Sequence, residues 1–179
     1  MPNKDFFLDR CLKSILEQTY KNYEIIITEN GKMAENTNSA IQQAKGGLIK
    51  ILYMDDWFAH KNALRDIIDN FEGNWLITGV DNNLSPYWTD DIHLGVNKLG
   101  SPSALTILNK NPLMFDEKLG WLLDCDYYRR MYDLYGPPKI LDGVNVNMGI
   151  GEHQATNLMS DITKTKEYSY MLNKYDTSA

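Results

Sequence analysis

Apolar and polar positions along this chain fall into blocks with two different periods. Leu8, Cys11, Leu12, Ile15 and Leu16 recur at helical spacing, so a helix is expected from near Asn3, its cap, to about Glu17. Residues 23–28 form a short run with three consecutive isoleucines. A strand apolar on both faces wants cover on both, as in a parallel sheet. Thr37, Ala40, Ile41 and Ala44 mark the inner face of a second helix over about 36–45, which Gly46 and Gly47 stop. Residues 48–54 read as the central strand. Ala63, Leu64, Ile67, Ile68 and Phe71 line a third helix, and Trp75–Val80 is another apolar strand. The order helix, strand, helix, strand, helix, strand predicts an α/β fold with a mostly parallel sheet flanked by helices.

The second half is less regular. Residues 81–102 combine Asp81, Asp90 and Asp91 with prolines, asparagines and glycines, and read as a long loop over the sheet edge. Its aromatics Tyr87 and Trp88 suit either stacking on a sugar or base or a satellite hydrophobic cluster. A strand is expected over 103–108, then a helix from Leu123 to Tyr135 that Gly136-Pro137-Pro138 ends. Two short strands, 139–141 and 144–148, suggest a hairpin around Asp142-Gly143. Residues 149–153 read as loop and 156–175 as an amphipathic helix. With 179 residues, one domain is expected, with its core over about 6–153.

Composition narrows the partners. A formal charge of −6 with no basic patch argues against nucleic acid. Cys11 and Cys125 lie in separate helical stretches without metal or redox spacing, as core thiols of a reducing compartment do. No apolar run reaches the roughly 18 residues of a transmembrane segment, and no signal peptide is visible, so a cytoplasmic location is expected.

The chemistry concentrates where apolar runs end. Asp55 and Asp56 follow the central strand directly, and adjacent carboxylates repel unless a cation shares them. A hard divalent ion bound to phosphate is one answer; Asp56 capping the next helix while Asp55 faces solvent is the other. Glu29 is a further acid at the end of an apolar run. Asp124 and Asp126 open the fourth helix, where acids also serve plain helix-terminus electrostatics. Asp126 and Arg130 are spaced to pair with each other. His153 is noted because a metal site holding two carboxylates has room for an imidazole ligand.

Taken together these stretches resemble the family 2 glycosyltransferases, nucleotide-sugar enzymes with a GT-A fold. Residues 8–20, reading LDRCLKSILEQTY, with Tyr23-Glu24-Ile25-Ile26-Ile27, are similar to the family's early helix and strand. Asn38-Ser39-Ala40 through Gly46 into Leu52-Tyr53-Met54-Asp55-Asp56 resembles the helix leading to its acidic metal motif. Gly100-Ser101-Pro102-Ser103 resembles the acceptor-side loop. Phe115-Asp116-Glu117 with Asp124-Cys125-Asp126-Tyr127 and Arg130 resembles the stretch bearing the catalytic base. The resemblance implies an inverting transfer from a nucleotide-diphosphate sugar to the hydroxyl of a saccharide or other acceptor. Asp55 and Asp56 would hold Mn²⁺ or Mg²⁺, with His153 as a late metal or phosphate contact. Asp124 would be the general base, and Glu29, Asp55 and Arg130 would contact the donor.

The departures from the pattern are equally specific. The family's usual first strand has no counterpart, a helix and strand are missing between residues 30 and 35, and Tyr53 replaces the first aspartate of the acidic motif. A reduced form with an open sheet edge is therefore expected, and an identical chain pairing there would make a homo-oligomer. The alternative to an enzyme is an inactive glycosyltransferase-like protein that works by such pairing. The spelling Tyr53-Met54-Asp55-Asp56 also occurs in reverse transcriptases, on a hairpin; here the residues that follow have helical period.

Overall fold

The structure is a computed structural model that describes residues 4–29, 31–152 and 154–175. Asn3 lies outside the described residues, and the first helix, α1, covers Lys4–Leu16 with Cys11 buried beneath it. Leu16, expected on the inner side, is 61% exposed. α2 (Met33–Gln43) begins earlier than its apolar period, because the Glu35 carboxylate accepts the Lys32 backbone N–H and closes the first turn from within.

The sheet corrects the expected topology. Its strands are β1 (Leu48–Lys50), β2 (Trp57–Phe58), β3 (Trp75–Val80), β4 (Leu105–Leu108) and β5 (Lys139–Asn147). They lie in the order β1-β4-β3-β5-β2, and three of the four pairings are antiparallel. Only β3 and β5 run parallel. The fold is α/β with a mixed, mostly antiparallel sheet, not the mostly parallel GT-A-like sheet that the alternating pattern implied. The physical reason is insertion. β1 and β3, joined through α3 (Ala63–Asp69), do share a direction, but β4 slots between them and pairs antiparallel with both. Crossover helices set the directions of the strands they join, not which strands become neighbours.

Residues 23–28 are the second correction, since they join no strand of the sheet. Side chains tether them instead. Tyr23 Oη donates to the Ile15 carbonyl, Glu24 accepts the backbone N–H groups of Lys45 and Gly46, and Thr28 Oγ1 donates to the Asn36 carbonyl. Ile25 and Ile27 remain 40% and 55% exposed. β1 is likewise shorter than the expected 48–54, because the chain turns at Tyr53, whose carbonyl accepts the Asp56 N–H.

β3 is the fully buried spine. Trp75 stacks on Tyr128 of α4 (Leu123–Tyr135) at 5.9 Å, which presses α4 onto one face of the sheet. β5 is continuous rather than a hairpin. It follows β3 to Thr78↔Leu141, bulges, and resumes at Val80↔Val146. The Asp-Gly pair that signals a hairpin serves the bulge, with Gly143 at φ 91°. Gly79 permits it: a Cβ there would lie 2.3 Å from the Gly143 carbonyl oxygen. The expected last helix is divided into α5 (Ala155–Leu158) and α6 (Asp161–Tyr175). Among the described residues no helix is long and apolar enough to cross a membrane.

Candidate functional site

The acidic turn after β1 is gripped from several sides. Arg10 of α1 lies flat over the Trp57 ring at 3.6 Å and donates from Nη2 to the Asp55 carbonyl at 2.6 Å. Asp56 is 2% exposed and accepts the Gly149 N–H at 2.8 Å. Burial pushes its carboxyl up to about 6, against the lowering effect of the Ser103 hydroxyl and the Gly149 N–H. Gly149 packs so tightly that a Cβ would lie 2.1 Å from the Asp55 carbonyl oxygen. Only glycine fits there. The Asp55 side chain is half-buried.

Asp124 stands in the first turn of α4 and is partly buried. Its Oδ2 accepts from Asn97 Nδ2 at 2.9 Å and its Oδ1 from the Cys125 N–H at 2.8 Å. Burial raises its pKa, an effect those two bonds oppose. Asn97 also donates to the Gly100 carbonyl and accepts the N–H groups of Leu99 and Gly100. Ser103, a few residues on, bonds Asp56 and accepts the Tyr53 N–H. One segment, 97–103, therefore links the Asp55–Asp56 turn to Asp124. Burial raises the Tyr53 phenol against the lowering effect of its bond with Thr37, and the charges of Asp124, Asp56 and Asp55 push it further up.

A partly buried lysine adjoins the 97–103 segment. Lys50 Nζ donates to the carbonyls of Ser103 and Leu105. Burial pushes its ammonium down to about 7, partly offset by Asp56. The remaining expected residues sit elsewhere. Glu29 is paired with Lys4 at the exposed end of the 23–28 segment. Arg130 donates from Nε to Asp126 Oδ2 at 2.8 Å, as its spacing suggested, and the structure does not bring it to Asp124. His153 lies outside the described residues. Trp88 stacks on Tyr132 at 3.8 Å and packs against the main core rather than a satellite cluster, whereas Tyr87 is 56% exposed.

Asn97, Ser103, Lys50 and Gly149 were not singled out as site residues from sequence. Residue types this common carry no local signal, and only the order of the sheet brings them together. Among the described residues no group of three or more His, Cys, Asp and Glu side chains could hold a metal by itself. Asp55 and Asp56 suit a narrower task. An ion that arrives on phosphate and keeps several waters needs only one or two protein carboxylates.

Comparison with known proteins shows what the chain is similar to. The sequence pattern described as Glycosyl transferase family 2 matches residues 3–83. The glycosyltransferase GlyA of Streptococcus pneumoniae is 26% identical over 138 residues, which covers 73% of this chain. The chain spans 19% of the length of that relative. Among solved structures, residues 1–349 of TarS from S. aureus superpose over 100% of this chain and 70% of theirs, with a TM-score of 0.64 at 15% identity. The same TarS fragment in complex with UDP-GlcNAc covers 99% of this chain and 71% of its own, with a TM-score of 0.56 at 14% identity. The chain therefore shares the fold of the TarS 1–349 fragment.

Proposed function

We propose that this chain is a family 2 type glycosyltransferase domain that moves a sugar from a nucleotide-diphosphate donor to an acceptor hydroxyl, with inversion at the anomeric carbon. The observation that carries this reading is the linkage of Asp56 and Asp124 through Ser103 and Asn97, on a fold related to a protein crystallised with UDP-GlcNAc. Asp124 acts as general base. Its raised pKa strengthens it for that task, and Asn97 keeps one of its oxygens oriented. Asp124 takes the acceptor proton as the acceptor oxygen bonds to the anomeric carbon. The bond from that carbon to the diphosphate oxygen breaks, and its electron pair leaves with the nucleoside diphosphate. Asp55 and Asp56 would hold a Mn²⁺ or Mg²⁺ that arrives with the donor, and such an ion would supply neutralisation of charge on the leaving group. Glu29 and Arg130 are engaged with Lys4 and Asp126, so donor contacts by either require those pairs to open.

Calorimetric titration of UDP with Mn²⁺ tests the donor site. The parent binds, Asp55→Asn and Asp56→Asn lose the metal-dependent part, and Asp124→Asn binds normally but transfers nothing. Equal Mn²⁺-dependent affinity in both turn variants removes the metal role, and transfer by Asp124→Asn at the parent rate removes the base.

A second reading has its own observation. Ile25 and Ile27 stand exposed on a segment outside the sheet, with Phe6 62% and Leu16 61% exposed on α1. This apolar surface suits pairing with an identical chain, so a homo-oligomer is proposed, whether or not the domain is active. Light scattering between about 1 and 100 μM decides it, because a constant mass at the 20.6 kDa of one chain rules the oligomer out. The two buried, unpaired cysteines fit a reducing compartment, and the cytoplasm is the proposed location.

A further inference from the structure

Helix α4 begins without an ordinary cap. Its N-cap position is Leu122, whose side chain accepts nothing, and the Cys125 N–H is taken by Asp124 itself. The donors just before the helix, on Gly120, Trp121 and Leu122, point at a carboxylate 45 residues or more away in sequence. Glu167 of α6 is 7% exposed, and its Oε1 accepts the Gly120 N–H at 2.9 Å. Its Oε2 accepts those of Trp121 and Leu122 at 2.8 and 3.0 Å. Three successive backbone donors thus converge on one side chain. The approach is close, since a Cβ on Gly120 would lie 3.1 Å from Met159 Cε and 3.5 Å from Glu167 Oε1.

A second set of bonds holds the rest of α6 in place. Lys174 bridges Asp116 at 2.8 Å and Asp126 at 2.6 Å, Tyr170 Oη donates to Asp116, and Tyr175 Oη donates to Asp126 Oδ1. None of these groups touches Asp124. Glu167 bonds the backbone two residues from it.

We propose that Glu167 is the positioning residue for Asp124: carried in on α6, it fixes the backbone turn 120–122 from which α4 starts and so sets where the Asp124 carboxylate stands. What Asp124 does there rests on the function proposed above; that Glu167 holds the turn does not. A backbone turn fixed by a buried anion has one position, whereas a frayed first turn spreads the side chain over several, and a base must be in hydrogen-bond reach of the proton it takes.

Glu167→Gln tests this. The amide keeps the volume but turns an N–H₂ group toward a cluster of N–H donors. Amide hydrogen exchange at residues 120–126 is expected to rise by roughly tenfold while Trp75–Val80 keeps its parent rate. Affinity for UDP with Mn²⁺ stays within about twofold, and kcat falls by about tenfold at unchanged donor KM. Parent-like exchange at 120–126, or a rise spread equally over β3, overturns the proposal. Lys174→Gln is the companion variant, because it removes the ion pairs of α6 with Asp116 and Asp126, leaves the tyrosine bonds to them, and spares the Glu167 contacts with 120–122. It should lower the unfolding midpoint and keep kcat within about twofold of the parent. A kcat loss equal to that of Glu167→Gln means general loosening and overturns positioning. A parent that transfers no sugar removes the proposed function, and the exchange pattern then decides alone whether Glu167 holds the turn.

Discussion

The turn bearing Asp55 and Asp56 and the turn bearing Asp124 are both bonded by the segment 97–103, yet they are held by different means. The first is gripped at the Asp55 carbonyl, at the Asp56 carboxylate and by shape. Arg10 takes its carbonyl, Gly149 gives it an N–H, and the Gly149 backbone lies against Asp55 with no room for a methyl group. The second is held by side chains brought from afar, Asn97 from the loop and Glu167 from the last helix. A turn fixed by backbone packing tolerates almost no change in volume. One fixed by hydrogen bonds tolerates volume but not loss of a donor or acceptor.

The largest effect should come from the packed turn. Gly149→Ala forces a Cβ onto the Asp55 carbonyl, so the backbone must part there. A loss of about 3 kcal/mol of stability is expected in urea unfolding, together with Mn²⁺-dependent UDP binding. A smaller, intermediate effect belongs to the shared segment. Ser103→Ala strips a hydroxyl from buried Asp56 and an acceptor from the Tyr53 N–H, for about 2 kcal/mol, and drives the Asp56 pKa higher still, which carboxyl NMR reads directly. If Gly149→Ala costs less than Ser103→Ala, the distinction between packing and bonding fails.

The smallest effect concerns the clasp on α6 and depends on pH. Burial alone would raise the Asp116 carboxyl, but the bonds from Lys174, Tyr170 and the Lys118 N–H outweigh it and hold it at about 2. Because this folded value lies below the ordinary 3.8, the folded chain gives up the proton more readily than the unfolded one. The stability it contributes is present above about pH 4 and lost as pH falls from there through about pH 2. After solvent screening this amounts to about 1 kcal/mol. Comparing urea midpoints at about pH 5 and about pH 2.5, Asp116→Asn should lose less stability on acidification than the parent does. An unchanged pH dependence would detach α6 from this pair.

Sequence pattern reached some of this architecture and missed the rest for identifiable reasons. α4 and β3 have the boundaries their patterns announce, since a strand buried on both faces reads as an unbroken apolar run and a helix packed on it as a one-sided period. Residues 23–28 show the opposite case. Three isoleucines in a row record an appetite for cover, and nothing in the run says whether the rest of the chain supplies it; Ile25 and Ile27 are left outside. The insertion of β4 between β1 and β3 was equally hidden, because strand order is decided by long-range pairing. Among the candidate residues, Asp55 and Asp56 stand out in the sequence as acids after an apolar run, and Asp124 as an acid that opens a helix. Asn97 and Glu167 do not, because each acts across tens of residues and belongs to a type found all along the surface, and Ser103 is marked only as part of the 100–103 stretch, not by its bond to the turn.

The dependence of α4 on Glu167 also orders events in time. A ribosome releases the chain from its N-terminus, and every strand of the sheet ends by Asn147. The sheet and α4 can thus collapse around Trp75 and Tyr128 while α6 is still unmade. During that interval the donors of Gly120, Trp121 and Leu122 lack the carboxylate that later binds them. The Asp124 turn is accordingly among the last parts of the molecule to settle, so a nascent domain is compact before it is competent.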